Sequence, residues 1–134
     1  MAGVHFAYNN FPSLLQLNMG IADRLDDNRA ESFTILYCNF QKVEDDLIIE
    51  SLEKVLRGSD VIVNSDKEYF FILPYTDKYG ATIVKNMFEE FFDLYIPSYE
   101  VSYPLNGETP KELFQSLQAG IKKSLNVYLE CLDF

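Results

Sequence analysis

The spacing of apolar residues along the chain predicts four helices and four strands within one domain that covers residues 1–134. In the helical segments apolar residues recur every three or four positions, whereas the first strand segment is apolar on both alternating faces. The predicted order is α-β-α-β-β-α-β-α, and residues 1–10 are expected to form a loosely ordered start.

Each predicted helix has a start signal or an apolar face. Pro12 and Ser13 open the first helix, and the polar cluster at positions 26–29 ends it. Thr109 is the expected N-cap of the last helix, with Pro110 as its first residue and Glu112 as the reciprocal capping partner. The first helix carries a broad apolar stripe: Leu14, Leu15, Leu17, Met19, Ile21, Ala22 and Leu25. The second helix spans Val43–Leu56, and Asp77 is the expected N-cap of the third. The third helix carries an aromatic cluster that is expected to pack in the core, the alternative being that part of it forms a partner surface: Phe88, Phe91, Phe92 and Tyr95.

The predicted strands alternate with these helices. They are Phe33–Phe40, Asp60–Asn64, Glu68–Leu73 and Ser98–Tyr103. The second and third form a hairpin between helix-flanked strands, which predicts an α/β (α+β) fold of ferredoxin-like type. Its mixed central sheet would carry helices on both faces.

Charge and composition exclude several classes of function. Twenty-one acidic residues against eleven basic ones give a net charge of −10, which argues against nucleic-acid binding and against anionic membrane surfaces. The sequence has no visible signal peptide and no apolar run long enough to span a bilayer, so a cytoplasmic protein is expected. His5 is the single histidine, and Cys38 and Cys131 are expected to be free thiols. No cofactor is predicted.

Several segments, in order along the chain, resemble the GGDEF domains of bacterial diguanylate cyclases. The segment Asn64–Pro74 is similar to the signature hairpin of that family, and the five motif positions fall on Ser65, Asp66, Lys67, Glu68 and Tyr69 when Pro74 is aligned. The segments 10–13, 33–41, 57–60 and 103–109 are similar to other family motifs. The resemblance implies a nucleotidyl-cyclase-type sheet and a signalling role.

The same resemblance implies that the chemistry of the family is lost. Active members need divalent cations, which carboxylate oxygens bind, to join two GTP molecules into cyclic di-GMP. The metal positions of the family align with Leu36 and Lys67, and a second aspartate of the first strand aligns with Cys38. Leucine offers no ligand, a thiolate suits magnesium poorly, and an ammonium repels it. Glu68 is retained but cannot build a metal site alone.

The nucleotide-binding positions also differ from the family. Ser65 and Asp66 replace the glycines that allow close approach of a phosphate, and a carboxylate at Asp66 would repel it. The phosphate-binding lysine of the last helix aligns with Leu125, while Lys122 and Lys123 lie on other faces. Arg57 and Asp60 resemble a remnant of the family's inhibitory site for cyclic di-GMP, although a surface pair at a helix end fits them better.

The favoured hypothesis is a catalytically inactive, degenerate GGDEF-like domain that regulates a protein partner. That partner could be a second copy of the chain or an active cyclase. The alternative is a receptor for cyclic di-GMP or a nucleotide, using Arg57 and Asp60. Two further hypotheses remain: an active cyclase with rearranged ligands, and an α/β interaction domain unrelated to GGDEF domains.

Overall fold

The computed structural model describes residues 2–25 and 29–134 of the chain. The predicted polar end of the first helix therefore lies mostly outside the described residues. The helices are α1 (Phe11–Leu25), α2 (Asp45–Val55), α3 (Lys78–Phe92) and α4 (Pro110–Leu125). The strands are β1 (Val4–His5), β2 (Glu31–Asn39), β3 (Val61–Ser65), β4 (Glu68–Pro74) and β5 (Ser98–Pro104), and short 3-10 turns cover Tyr8–Asn10 and Glu130–Leu132.

Within the described residues, five strands form one sheet in the order β1-β3-β4-β2-β5. The β1–β3 pair is parallel, whereas β3–β4, β4–β2 and β2–β5 are antiparallel. The sheet is therefore mixed, and the predicted α+β fold class is confirmed. The central strand β2 is buried along nearly its whole length, because helices cover both of its faces.

Two apolar layers hold the helices on the sheet. On one face α1 and α4 pack over alternate residues of the strands, including Phe33, Ile35, Tyr37, Phe70 and Ile72. On the other face α2 and α3 pack over the intervening residues, including Leu36, Cys38, Phe71 and Leu73. The period-two alternation of the strands thus divides the core between the two helical layers.

The N-terminal segment differs from the predicted loose start. Val4 and His5 pair in parallel with Val61 and Ile62. The Gly3 N–H also donates to the Arg57 carbonyl at 2.7 Å. Two strand residues carry no periodic pattern, and their pairing partner lies far along the chain, so no local pattern predicts this edge strand.

The predicted N-cap residues agree with the structure more closely than the predicted buried faces of the helices do. The Asp77 side chain accepts from the Gly80 N–H, and the Thr109 hydroxyl accepts from the Glu112 N–H. The Glu112 carboxylate accepts from Glu108 rather than from the cap residue. The predicted stripe on α1 is too broad, because three of its members are exposed: Leu17, Ile21 and Leu25.

Gly120 allows α4 to lie close against β5. A Cβ at this position would clash with the ring of Tyr99. A side chain there would require the Tyr99 ring to move or the helix to shift away from the sheet. In the part of the chain that the structure describes, no helix has the length and apolar character needed to cross a membrane.

Candidate functional site at the β3–β4 turn

The turn between β3 and β4 carries the residues that resemble the cyclase signature. Ser65 and Glu68 are the last pair of the hairpin, and Asp66 has a left-handed backbone with φ of 54°. Aspartate tolerates that conformation better than most residues, so a glycine is not required. The Asn64 side-chain amide donates to the Asp66 carbonyl at 2.7 Å, and this bond stabilises the turn.

Lys67 is held by the loop between β2 and α2. Its Nζ donates to the Val43 carbonyl at 2.7 Å and lies 3.9 Å from Oδ1 of Asp45. The Phe40 N–H donates to the Lys67 carbonyl at 3.0 Å, which joins the same loop to the turn through the backbone. The resemblance places a metal-binding carboxylate at this position, but the structure has an ammonium that already has a protein acceptor.

Leu36 and Cys38 lie in the core under α2 and α3 and have no exposed surface. Leu36 faces Phe71, four residues from Lys67 along β4, which corresponds to about 13 Å at the usual strand rise. Cys38 faces Tyr69 and is nearer the turn. Burial raises the pKa of the Cys38 thiol, so the group stays protonated and is not a thiolate ligand.

Glu68 makes a hydrogen bond inside the protein. The Tyr37 hydroxyl donates to Oε1 of Glu68 at 2.8 Å. Burial raises the pKa of Glu68, and the bond from Tyr37 opposes that shift. Burial also raises the pKa of Tyr37, and its bond to Glu68 raises it further. The Glu68 carboxylate therefore joins β4 to β2, and its partner Tyr37 was not predicted from the sequence.

The C-terminal segment lies beside this end of the sheet. The Tyr8 hydroxyl donates to the Cys131 carbonyl at 2.8 Å, and Leu129 and Leu132 are buried in the α1–α4 layer. Burial raises the pKa of the Cys131 thiol, which hydrogen bonds involving Tyr8 and Ser65 partly offset. The sequence carries no signal for this contact, because it joins residues more than one hundred positions apart.

Arg57 and Asp60 form an internal clamp at the other end of β3. Oδ2 of Asp60 accepts from the Arg57 N–H at 2.8 Å, and Oδ1 accepts from Nη2 of Arg57 at 2.9 Å. The same Nη2 donates to the Pro74 carbonyl and contacts the Thr76 hydroxyl. Asp60 is 1% exposed, so this carboxylate is directed at the protein and not at solvent.

The sites predicted from sequence thus lie in separate places. Within residues 2–25 and 29–134, no three His, Cys, Asp or Glu side chains converge in a way that could hold a metal ion. Lys122 and Lys123 are exposed on α4, and Leu125 is half-buried.

The fold is similar to that of a solved structure. It resembles the crystal structure of a sensory box/GGDEF family protein from Caulobacter crescentus, with a TM-score of 0.63 and 14% sequence identity. The match covers 90% of this chain and 93% of that chain. At this identity the likeness supports a GGDEF-like fold and nothing finer. A scan against protein-family models found no match, and a search of curated proteins found none either.

Proposed function

We propose that the chain is a catalytically inactive GGDEF-like signalling domain that acts by binding a protein partner. The observation that carries the proposal is the position of Lys67, whose ammonium donates to the Val43 carbonyl at the signature turn. A divalent cation would meet a positive charge there in place of a ligand, and Coulomb repulsion at contact distance disfavours its binding.

The neighbouring side chains do not compensate for that loss. Leu36 has no donor atom, and Cys38 is a buried protonated thiol. Glu68 accepts from Tyr37 and is a single carboxylate. The residues present therefore do not fit the pair of hard-cation positions that the cyclase reaction needs, and no step of that reaction is assigned to them.

A regulatory binding role fits a domain that has the GGDEF-like fold but has leucine and lysine, at Leu36 and Lys67, where the cyclases have metal ligands. The alternative, a cyclic di-GMP receptor through Arg57 and Asp60, receives less support. Both Asp60 oxygens accept from Arg57, so a ligand would have to break that clamp before it could contact the carboxylate.

Incubation with GTP and magnesium tests the loss of catalysis. We expect no cyclic di-GMP above a no-protein blank, while an active diguanylate cyclase in the same buffer makes product. Formation of cyclic di-GMP by the wild-type chain above the no-protein blank would overturn the proposal.

A separate titration with cyclic di-GMP tests the receptor alternative. We expect no heat of binding at ligand concentrations of about 100 μM, which corresponds to a binding free energy weaker than about −5.5 kcal/mol. Saturable binding that Arg57→Ala abolishes, in a variant whose circular dichroism is unchanged, would instead favour the receptor.

A further inference from the structure

A groove on the described surface lies between α4 and the C-terminal segment, on the side of the sheet away from α2 and α3. Its volume is about 1020 Å³. Its apolar lining comes from both elements and from the start of α1: Pro12, Phe114, Ala119, Leu132 and Phe134. Phe134 is 56% exposed although its ring lies 4.5 Å from that of Phe114, so an aromatic surface faces solvent here.

Three lysines border this apolar surface. Lys111, Lys122 and Lys123 are all exposed, and none forms an ion pair with a carboxylate of the described residues. Asp133 is the one acidic side chain among the described residues that line the groove, and it accepts from the Tyr128 hydroxyl. The groove is thus locally basic on a chain whose net charge is −10.

The spacing of these charges indicates the shape of an occupant. Lys111 and Lys122 are eleven residues apart on one helix, which corresponds to about 16 Å along its axis. A single small anion cannot contact both. Lys122 and Lys123 suit the negative end of the α4 dipole, but Lys111 lies at the positive end, where a lysine is unfavourable unless an anion is close by.

We infer that this groove binds an acidic amphipathic helix of a partner protein, which lies along α4. Its apolar residues, at helical spacing, would pack on Ala119 and Phe134, and its flanking carboxylates would face Lys111 and Lys122. This inference rests on the proposed function, because it names the surface and the chemistry of the partner that such a regulatory domain would bind.

A synthetic peptide of about 14 residues, about 21 Å long as a helix, is the probe. It carries leucines at positions i, i+3, i+4 and i+7 and glutamates on both flanks. A second peptide has lysines in place of the glutamates. Fluorescence anisotropy with the full chain should show saturable binding of the acidic peptide and at least about tenfold weaker binding of the basic one.

Two variants separate docking in the groove from general attraction. The double variant Lys111→Glu/Lys122→Glu should bind the acidic peptide about tenfold more weakly than the wild type, or weaker still. The control variant Lys42→Glu/Lys54→Glu makes the same charge change at exposed positions outside the groove and should have little effect on the affinity. Ala119→Arg adds a positive charge but fills the groove, so it should also weaken binding. Circular dichroism checks the fold of each variant.

Failure of the acidic peptide to bind the wild-type chain would overturn the inference, as would equal binding of both peptides. Tighter binding by Ala119→Arg would also overturn it, because attraction would then be electrostatic only. Binding of decanoate that competes with the peptide and disappears in Ala119→Arg would reassign the groove to a small amphiphile and contradict the helix. The GTP assay is independent of all these results, so the proposed loss of catalysis and this inference can fail separately.

Discussion

The two ends of β3 both carry residues that resemble cyclase motifs, yet they differ in what those residues contact. At the first end Asp60 is buried, and both of its oxygens accept from Arg57. At the other end Asp66 is exposed on a turn, and Lys67 bonds to a backbone carbonyl of another loop. The difference shows that a pair of residues resembling a ligand-binding motif, such as Arg57 and Asp60, can be explained by contacts within the fold.

The strongest test of this comparison makes the same change at both ends of the strand. In Asp60→Asn one oxygen becomes an amide N–H that faces the donors of Arg57, so we expect a loss of about 2–3 kcal/mol in the free energy of unfolding. Asp66→Asn, which keeps a residue tolerant of positive φ, should change it by less than about 0.5 kcal/mol.

Urea unfolding followed by circular dichroism measures both values. Equal losses at the two positions would contradict a structural role specific to Asp60.

The next test concerns the bond that holds Lys67. Lys67→Met keeps the apolar stem but removes the donor to the Val43 carbonyl, so we expect a loss of about 1 kcal/mol. Lys42→Met, at an exposed position in the same loop region, is the matched control and should have an effect below about 0.5 kcal/mol. A stabilised Lys67→Met variant would show that the ammonium is not held in this way.

The smallest expected effect is the pH dependence of Glu68. Its pKa is raised on folding because burial disfavours the charged carboxylate, so folding favours the protonated form. The contribution of Glu68 to the free energy of unfolding is therefore fully present below the ordinary pKa of a glutamate side chain. It is lost as the pH rises through the raised pKa of Glu68 in the folded protein. Glu68→Gln, whose amide oxygen can still accept from Tyr37, should therefore be more stable than wild type at pH 7.5.

The half-exposed position limits this gain to less than about 1 kcal/mol, and it should shrink toward pH 4. Unfolding curves of both proteins across that range check the sign. A difference that grows on acidification would contradict the assignment.

Much of the fold could be predicted because its signals are local. The caps at Asp77 and Thr109, the hairpin and the central strand each depend on a few adjacent residues. The edge strand Val4–His5 and the covering of the sheet by Leu129 and Leu132 depend on long-range pairing, and no periodicity indicates them. A broad apolar stripe also overestimates how much of a helix is buried, as it does for α1, where some apolar residues of the stripe are exposed.

The candidate site was predicted less well than the fold. The sequence indicated which side chains stand at Lys67 and Asp60, but not what they contact. The bond from Lys67 to Val43 depends on the path of the loop after β2. The contacts of Asp60 and its partner Arg57 depend on where the N-terminal segment and the end of β4 lie. Chemical identity is local, whereas burial and partners are properties of the folded chain.

The central claim is that the turn at Lys67 cannot hold a divalent cation beside a nucleotide. Manganese, which prefers the same hard oxygen ligands as magnesium, reports on this directly through the electron paramagnetic resonance signal of the free ion. With GTP present, we expect the wild-type chain to leave the free manganese signal the same as GTP alone does. A further, saturable loss of that signal upon adding the chain, removed by substituting Glu68 with Gln, would contradict the account.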